Sequence, residues 1–210
     1  MTAPHAARER RLLALFALPV AIALIASGIA PYDRATWWLE VAPVLLAAPL
    51  IALTWRRFPL TTLLCSLIAL HALVLILGGT YTYARVPVGF VLQDWLGLSR
   101  NPYDRIGHLM QGFVPAMVTR EVLVRGHYVK GPRMLAFVCV CVPLAFSAFY
   151  ELIEWWVALA LGGAVEFLGT QGDVWDTQAD MFCALLGAVA ALATLSRLHD
   201  RQLAALTAGV

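Results

Sequence analysis

Acidic and histidine side chains recur three or four residues apart inside segments of the chain that are otherwise apolar. The pairs are Asp104 and His108 in NPYDRIGHLMQG, Glu151 and Glu154 in FSAFYELIEWW, and Asp176 and Asp180 in DVWDTQAD. Residues at these spacings lie on one face of a helix. Carboxylates and imidazoles from neighbouring helices are ligands that proteins use for divalent metal ions. The pattern predicts a shared site, provided that the three segments meet at one depth.

The composition indicates that these charges lie in or near a membrane. Of the 210 residues, 61% are hydrophobic and 13% are charged, whereas a soluble domain carries about 25% charged residues. The mean hydropathy is +0.77. The net charge of +2 gives no reason to expect a nucleic-acid partner, and membrane lipid is the partner that we expect. We predict an all-α, polytopic integral membrane helical bundle. In lipid the backbone N–H and C=O groups must be hydrogen-bonded to each other, and a helix satisfies them within one segment.

Six apolar segments are long enough to cross a bilayer. They lie at about residues 11–30, 38–54, 60–78, 105–123, 134–161 and 175–196. The first follows basic residues as a signal peptide does, but its apolar run is longer than the usual ~7–15 residues, so we interpret it as an uncleaved span. With no internal repeat, the simplest division is one membrane domain over residues 1–210. The four cysteines fall within apolar runs, which favours buried thiols over disulfides.

The distribution of Lys and Arg predicts the orientation. With six spans, most basic residues fall on one side, which should be the cytoplasm: they are Arg8, Arg10, Arg11, Arg56, Arg57, Arg120, Arg125, Lys130, Arg133, Arg197 and Arg201. We therefore expect a multi-pass protein of the bacterial inner membrane with both termini cytoplasmic. The long outer connection, residues 79–104, is rich in aromatic residues, which favours a segment lying at the interface or, alternatively, a lid.

The starts of two outer helices predict which acids are caps. Asn101 suits an N-cap with Pro102 as the first helical residue, and Asp173 suits the N-cap of the last helix. Asp104 and Asp176 would then both be third helical residues, where a carboxylate meets free N–H groups. His108 and Asp180 lie one turn further along, roughly 10 Å past the cap, and capping does not explain them.

Glu151 and Glu154 are expected at the same membrane depth as His108 and Asp180. Glu151 and Glu154 lie in the outer half of the fifth span. We predict a divalent metal ion, zinc or another, bound by His108, Glu151, Glu154, Asp176 and Asp180. Glu151 and Asp176 are the candidate catalytic groups, and the residues expected around the ligands are Asp104, Gln111, His71 and Asp173. A metal-bound water would attack a lipid or lipid-linked envelope substrate, with the spare carboxylate as general base.

Two other functions remain open, and whether the chain is an enzyme remains open with them. Buried acids and histidines also mark proton- or cation-coupled transporters. Alternatively, Arg105 could neutralise the acids in a structural salt-bridge network of a non-enzymatic protein. The sequence contains no H-E-x-x-H, P-loop or G-x-S-x-G motif. Glu40 is expected at the interface, and Arg120 and Glu121 are expected to pair locally at the inner end of their helix.

Three motifs resemble those of a known family. NPYDRIGHLMQGF, SAFYELIEWW and GTQGDVWDTQADM are similar to the YjdF-type bacterial inner-membrane proteins, over about residues 10–196. The resemblance implies a multi-spanning inner-membrane protein and no reaction, because the function of that family is not established.

A more distant likeness is to VanZ-like proteins, which are linked to low-level glycopeptide resistance. Asp104, Arg105 and His108 match their first motif, with Glu151 and Glu154 standing for the acidic segment and Asp176 for the third motif. Asp180 stands where VanZ-like proteins have an asparagine. Gly187 matches their glycine pattern, whereas Cys183 stands at an earlier glycine position of it. We do not carry the resistance activity over, because the added charge of Asp180 favours a cation site.

Overall fold

The computed structural model describes residues 3–162 and 166–208, without the side chains of residues 3–10, 166, 207 and 208. The described chain contains helices and no strands, which confirms the all-α prediction. The α-helices are α1 (Ala3–Ser27), α2 (Arg34–Thr54), α3 (Thr62–Tyr81), α4 (Pro87–Leu96), α5 (Tyr103–Arg125), α6 (Pro132–Leu161) and α7 (Asp176–Ala208). Two 3₁₀ turns, Tyr83–Arg85 and Glu166–Leu168, precede α4 and α7.

The long helices match the predicted spans in order and position. By length and composition, α2, α3, α6 and α7 could each cross a membrane. The apolar part of α1, Arg11–Ser27, is shorter, and α5 is the most polar of the long helices that were predicted to span. The six-span count therefore stays a prediction for α1 and α5. The last helix continues to Ala208, well past the predicted end at residue 196, so its 33 residues run about 50 Å and exceed a ~30 Å hydrocarbon core.

Helix α4 lies within the connection that was predicted to be interfacial. Apart from Pro87 and Asp94, its exposed side chains are large and apolar, among them Val91, at 65% exposure, and Trp95, at 79%. The opposite side is held by Gly89, where a Cβ atom would lie 1.8 Å from Oδ1 of Asn101. A short helix with a bulky apolar face and an anchored inner face is typical of a segment that lies at a membrane surface.

The closest helix pair is α5 with α7, and glycine makes the approach possible. A Cβ atom on Gly112 would lie 1.8 Å from the carbonyl oxygen of Ala184, and one on Gly187 would lie 2.0 Å from that of Leu109. The backbones therefore touch at two points one turn apart on each helix. Small residues permit such contacts between membrane helices, where packing replaces the hydrophobic effect. This contact fixes the register of α5 against α7, and with it the relative positions of their acidic residues.

We expect Gly187→Ala to destabilise the protein by about 1–3 kcal/mol, because the added methyl group must push α7 away from α5. Thermal unfolding in detergent measures the effect. Ala193→Val is the control, since residue 193 lies on the exposed side of the same helix and should change stability by less than about 0.5 kcal/mol. Equal stability of the two variants would contradict the close contact.

Hydrogen bonds between helix ends define the two ends of the bundle. At one end, the Tyr103 hydroxyl donates to the carbonyl of Val74 over 3.0 Å, joining the start of α5 to α3. At the other end, the Leu63 amide donates to Gln202 over 2.9 Å, joining the start of α3 to α7. The starts of α5 and α7 and the end of α6 share the first end. We call this the acidic end, because it holds the residues described next.

Candidate functional site

Helices α5 and α7 start later than the sequence predicted, so Asp173 is not the N-cap of α7, and the N-cap position of α5 moves from Asn101 to Pro102. Helix α5 begins at Tyr103 with Pro102 as its N-cap, and the Asn101 side chain instead accepts from the Tyr103 amide over 3.0 Å. Helix α7 begins at Asp176, because residues 171, 172, 174 and 175 lie in turns. Asp180 therefore lies about 7–8 Å past the residue before its helix rather than roughly 10 Å.

The outer layer of the site is a network of ion pairs. The guanidinium group of Arg105 lies 2.9 Å from the Asp173 carboxylate and 2.7 Å from that of Asp176. Arg100 also contacts Asp176 directly, and it lies 3.4 Å from both Asp173 and Asp104. The pKa of the Asp173 carboxyl is held below its ordinary value, first by the Trp175 amide that donates to it and then by the two arginines. The two arginines thus tie the start of α7 to the start of α5.

The inner layer is centred on the imidazole ring of His108, which is 5% exposed. Its Nε2 atom lies 3.7 Å from Asp104 Oδ1, 3.8 Å from Glu151 Oε1 and 3.8 Å from Asp180 Oδ1. Its Nδ1 atom is buried and has no hydrogen-bond partner. One buried imidazole nitrogen therefore faces carboxylates from three helices without a hydrogen bond to any of them.

These separations are informative about what fits between the groups. They exceed the 2.7–3.2 Å of an ordinary hydrogen bond. Two ligands held about 2.0–2.2 Å from a tetrahedral zinc ion lie roughly 3.3–3.6 Å apart. The imidazole–carboxylate distances of 3.7–3.8 Å exceed that value by a few tenths of an ångström.

Two overlapping groups have metal-ligand spacing within the described chain. One contains Asp104, His108 and Asp180, and the other contains His108, Glu151 and Glu154, with the potential ligand atoms of each group within 4.8 Å of one another. Asp180 is also paired with Arg105. Among the described residues, no Lys or Arg side chain forms an ion pair with Glu151 or Glu154, and Glu151 Oε1 is buried without a hydrogen bond. The inner layer thus contains more carboxyl groups than the two arginines pair with.

The other predicted residues lie around this centre rather than within it. Gln111 is on α5 next to His108, and its buried side-chain oxygen has no hydrogen-bond partner. His71, on α3, likewise has a buried Nε2 atom without a partner, but no described carboxylate lies within ion-pair distance of it. Asp173 and Asp176 belong to the outer layer and to neither ligand group. The structure therefore brings Asp104, His108, Glu151, Glu154 and Asp180 together.

The sequence reasoning missed two groups near the acidic end. It gave no role to Arg100, although the i,i+4 spacing to Asp104 would have indicated a pair. It placed Glu40 at the interface without a role in the site, whereas Glu40 is 4% exposed and accepts from the Tyr150 hydroxyl over 3.2 Å. The Tyr150 ring stands edge-on to His108, with the ring centroids 6.4 Å apart. Glu40 and Tyr150 thus brace the imidazole from the side of α2.

A second buried polar cluster lies at the opposite end of the bundle. Glu121 and His199 are both 0% exposed. Glu121 was expected to pair locally at the end of its helix, and it also contacts Thr61 and His199, which lie far away in the sequence. Its carboxylate accepts from the Thr61 hydroxyl over 2.7 Å and from Arg125 over 2.9 Å. Arg120 lies 3.0 Å from His199 Nδ1 and can only donate, so Nε2 carries the proton and donates to Glu121 over 2.9 Å. Every carboxylate oxygen there is hydrogen-bonded, which makes this cluster a structural tie between α3, α5 and α7.

Comparison with known proteins gives a family and no structural template. The family described as "Predicted membrane protein (DUF2238)" matches residues 12–201. The chain is 61% identical over 188 residues to a protein named inner membrane protein YjdF of Escherichia coli (strain K12), covering 89% of this chain and 90% of that protein. No solved structure matches.

Proposed function

This chain belongs to the DUF2238 family of predicted membrane proteins, and we propose that its acidic end is a divalent-metal site within the outer half of the bundle. The inner-membrane location of its relative and the clustering of Lys and Arg at the opposite end support an outward-facing site.

One observation carries this proposal: the buried, unpartnered imidazole of His108 between carboxylates of α5, α6 and α7. A buried polar group without a hydrogen bond costs about 1–3 kcal/mol. Uncompensated carboxylates close together add repulsion in a low-dielectric medium. A cation bound at Nε2 would relieve both costs for the carboxylates, because it would coordinate the buried Glu151 Oε1, which has no hydrogen-bond partner, and balance the negative charge.

The geometry favours particular roles for the residues. Asp104, His108, Glu151 and Asp180 are the proposed ligands, with Glu154 as a further ligand or as the spare carboxylate. Arg105 would orient Asp180 and Arg100 would orient Asp104, as groups around a metal site orient its ligands. Asp176 already contacts both guanidinium groups, so we assign it to positioning rather than to the ligand or catalytic role that the sequence predicted.

A metal-dependent enzyme is the function that suits such a site best. A bound divalent ion can lower the pKa of a coordinated water and supply a nucleophile near neutral pH. Glu154 has no described cationic partner and is free to accept a proton. Exposed tryptophans at the same end, among them Trp155, Trp156 and Trp175, suit the lipid headgroup level. The proposed substrate is therefore a lipid or lipid-linked molecule of the envelope, cleaved or transferred at the membrane surface.

The experiment is metal binding by Asp180→Asn and Glu154→Gln, measured with zinc and manganese on purified protein. We expect Asp180→Asn to lower the affinity at least 10–100-fold, the range seen for groups that support ligands. Glu154→Gln should weaken binding less if Glu154 is the spare carboxylate, but should abolish hydrolysis of a lipid-linked substrate.

Asp173→Asn is the matched control, because it removes an acid from the outer ion-pair layer without touching His108. Its metal affinity should remain within about threefold of wild type. If all three variants bind metal equally, or the wild type binds none, the acidic end is a salt-bridge network that holds α5, α6 and α7 together.

A further inference from the structure

An apolar groove lies between α1, α2 and α3, away from the acidic end. Its volume is about 290 Å³, and it is half-enclosed. This is close to the lower limit of about 300 Å³ for ligand pockets in proteins. The groove is lined almost entirely by apolar atoms, and it exists because alanines face it where larger side chains would close it, among them Ala21, Ala48 and Ala69.

The dimensions of the groove match one leaflet of a bilayer. Its lining follows α1 from Leu13 to Leu24, which is about 16 Å at 1.5 Å per residue. Half of a ~30 Å hydrocarbon core is about 15 Å. A groove of this length, apolar throughout and parallel to a membrane helix, has the shape of an extended hydrocarbon chain.

One end of the groove offers polar and charged groups. Trp55, at the end of α2, lines the groove and is 6% exposed, and its indole N–H is buried without an acceptor. The next two residues, Arg56 and Arg57, are exposed, and no described carboxylate forms an ion pair with either. A hydrogen-bond donor and two cations therefore meet at the end of the apolar groove that leads to the basic side of the protein.

We propose that this groove binds one phospholipid, with an acyl chain between α1, α2 and α3 and an anionic headgroup at Trp55, Arg56 and Arg57. The headgroup ester or phosphate oxygens accept from the indole N–H, and the two arginines contact the phosphate. The lipid comes from the leaflet on the basic side of the protein. That leaflet is predicted to be cytoplasmic and carries anionic lipid, which attracts basic residues. This site is separate from the proposed metal site and does not depend on it.

Native mass spectrometry of the delipidated, purified chain with added phosphatidylglycerol tests the proposal. We expect one phosphatidylglycerol per wild-type chain. Ala48→Phe and, independently, Ala69→Phe fill the groove from α2 and from α3, and each should reduce the retained lipid at least tenfold. Leu53→Phe is the matched control, since Leu53 is 82% exposed, lies on α2 and does not line the groove; its lipid retention should equal that of wild type.

The headgroup is tested by replacing both arginines with glutamine. Arg56→Gln with Arg57→Gln should remove the preference for phosphatidylglycerol over phosphatidylcholine, a change of about tenfold or more for two charges at a membrane surface. Absence of retained lipid in wild type, or equal retention in the groove variants and the Leu53→Phe control, would overturn the proposal. A wild-type dimer that Ala48→Phe dissociates and Leu53→Phe does not would also overturn it, because a second copy would then occupy the groove.

Discussion

His108→Ala should abolish tight binding of divalent cations by this protein. The imidazole is the one group shared by both sets of potential ligands at the acidic end, and its Nε2 atom faces carboxylates on three helices. Removing it leaves the two sets without their common nitrogen ligand. We expect a loss in zinc affinity of more than 100-fold, beyond the 10–100-fold typical of residues that only support ligands. Isothermal titration of the purified variant measures the change.

His71→Ala is the control for this substitution. His71 is also a membrane-helix histidine with an unpartnered buried nitrogen, but no described carboxylate lies within ion-pair distance of it. Its replacement should leave the zinc affinity within about threefold of wild type. Similar affinity losses in both variants would indicate that zinc binding reflects general destabilisation, and unchanged affinity in His108→Ala would remove His108 from the site.

Glu121→Ala should be the most destabilising single substitution at the opposite end of the bundle. The Glu121 carboxylate is completely buried and accepts hydrogen bonds from Thr61, Arg125 and His199. Without it, an arginine and several N–H and O–H donors lose their acceptor. Breaking a buried ion pair from one side costs about 3–5 kcal/mol. Unfolding in mixed detergent micelles, with the midpoint compared between variant and wild type, measures this loss.

The neighbouring Asp200 provides the comparison. It pairs with Arg120 over 2.6 Å, but its side chain is 60% exposed, so Asp200→Ala should cost less than about 1 kcal/mol. The metal affinity of Glu121→Ala protein that remains folded should be unchanged, because the two polar clusters lie at opposite ends of the helices. A Glu121→Ala variant as stable as Asp200→Ala would show that the cluster does not tie α3, α5 and α7 together.

Much of this architecture follows from the sequence because lipid imposes strong constraints. Runs of apolar residues predicted the order of the long helices and most of their ends to within a few residues, the exceptions being the start of α1 and the end of α7. The depth argument correctly grouped His108 with Glu151 and Asp180, since helix rise per residue is constant. Helix starts were less predictable: Asp173 accepts from the Trp175 amide in a turn before α7 begins, and Asn101 accepts from the first amide of α5 from two residues before it.

Lateral contacts between helices were the part that the sequence could not supply. A periodic pattern does not reveal which helix lies beside which, so Arg100 reaching Asp176, or Glu121 reaching His199 across 78 residues, was not foreseeable. The glycines at positions 112 and 187 carried some of that information, because close backbone contact is the usual reason for glycine in a membrane helix. The pairing of α5 with α7 was therefore within reach of the sequence, whereas the ion-pair partners were not.

The metal content of the wild-type protein tests the central claim most directly. The protein would be purified with zinc and manganese present, dialysed against metal-free buffer and measured by elemental analysis beside His108→Ala. We predict about one divalent ion per wild-type chain and none in His108→Ala. A wild-type protein that retains no ion, or a His108→Ala variant that retains as much as wild type, would contradict a metal site at the acidic end.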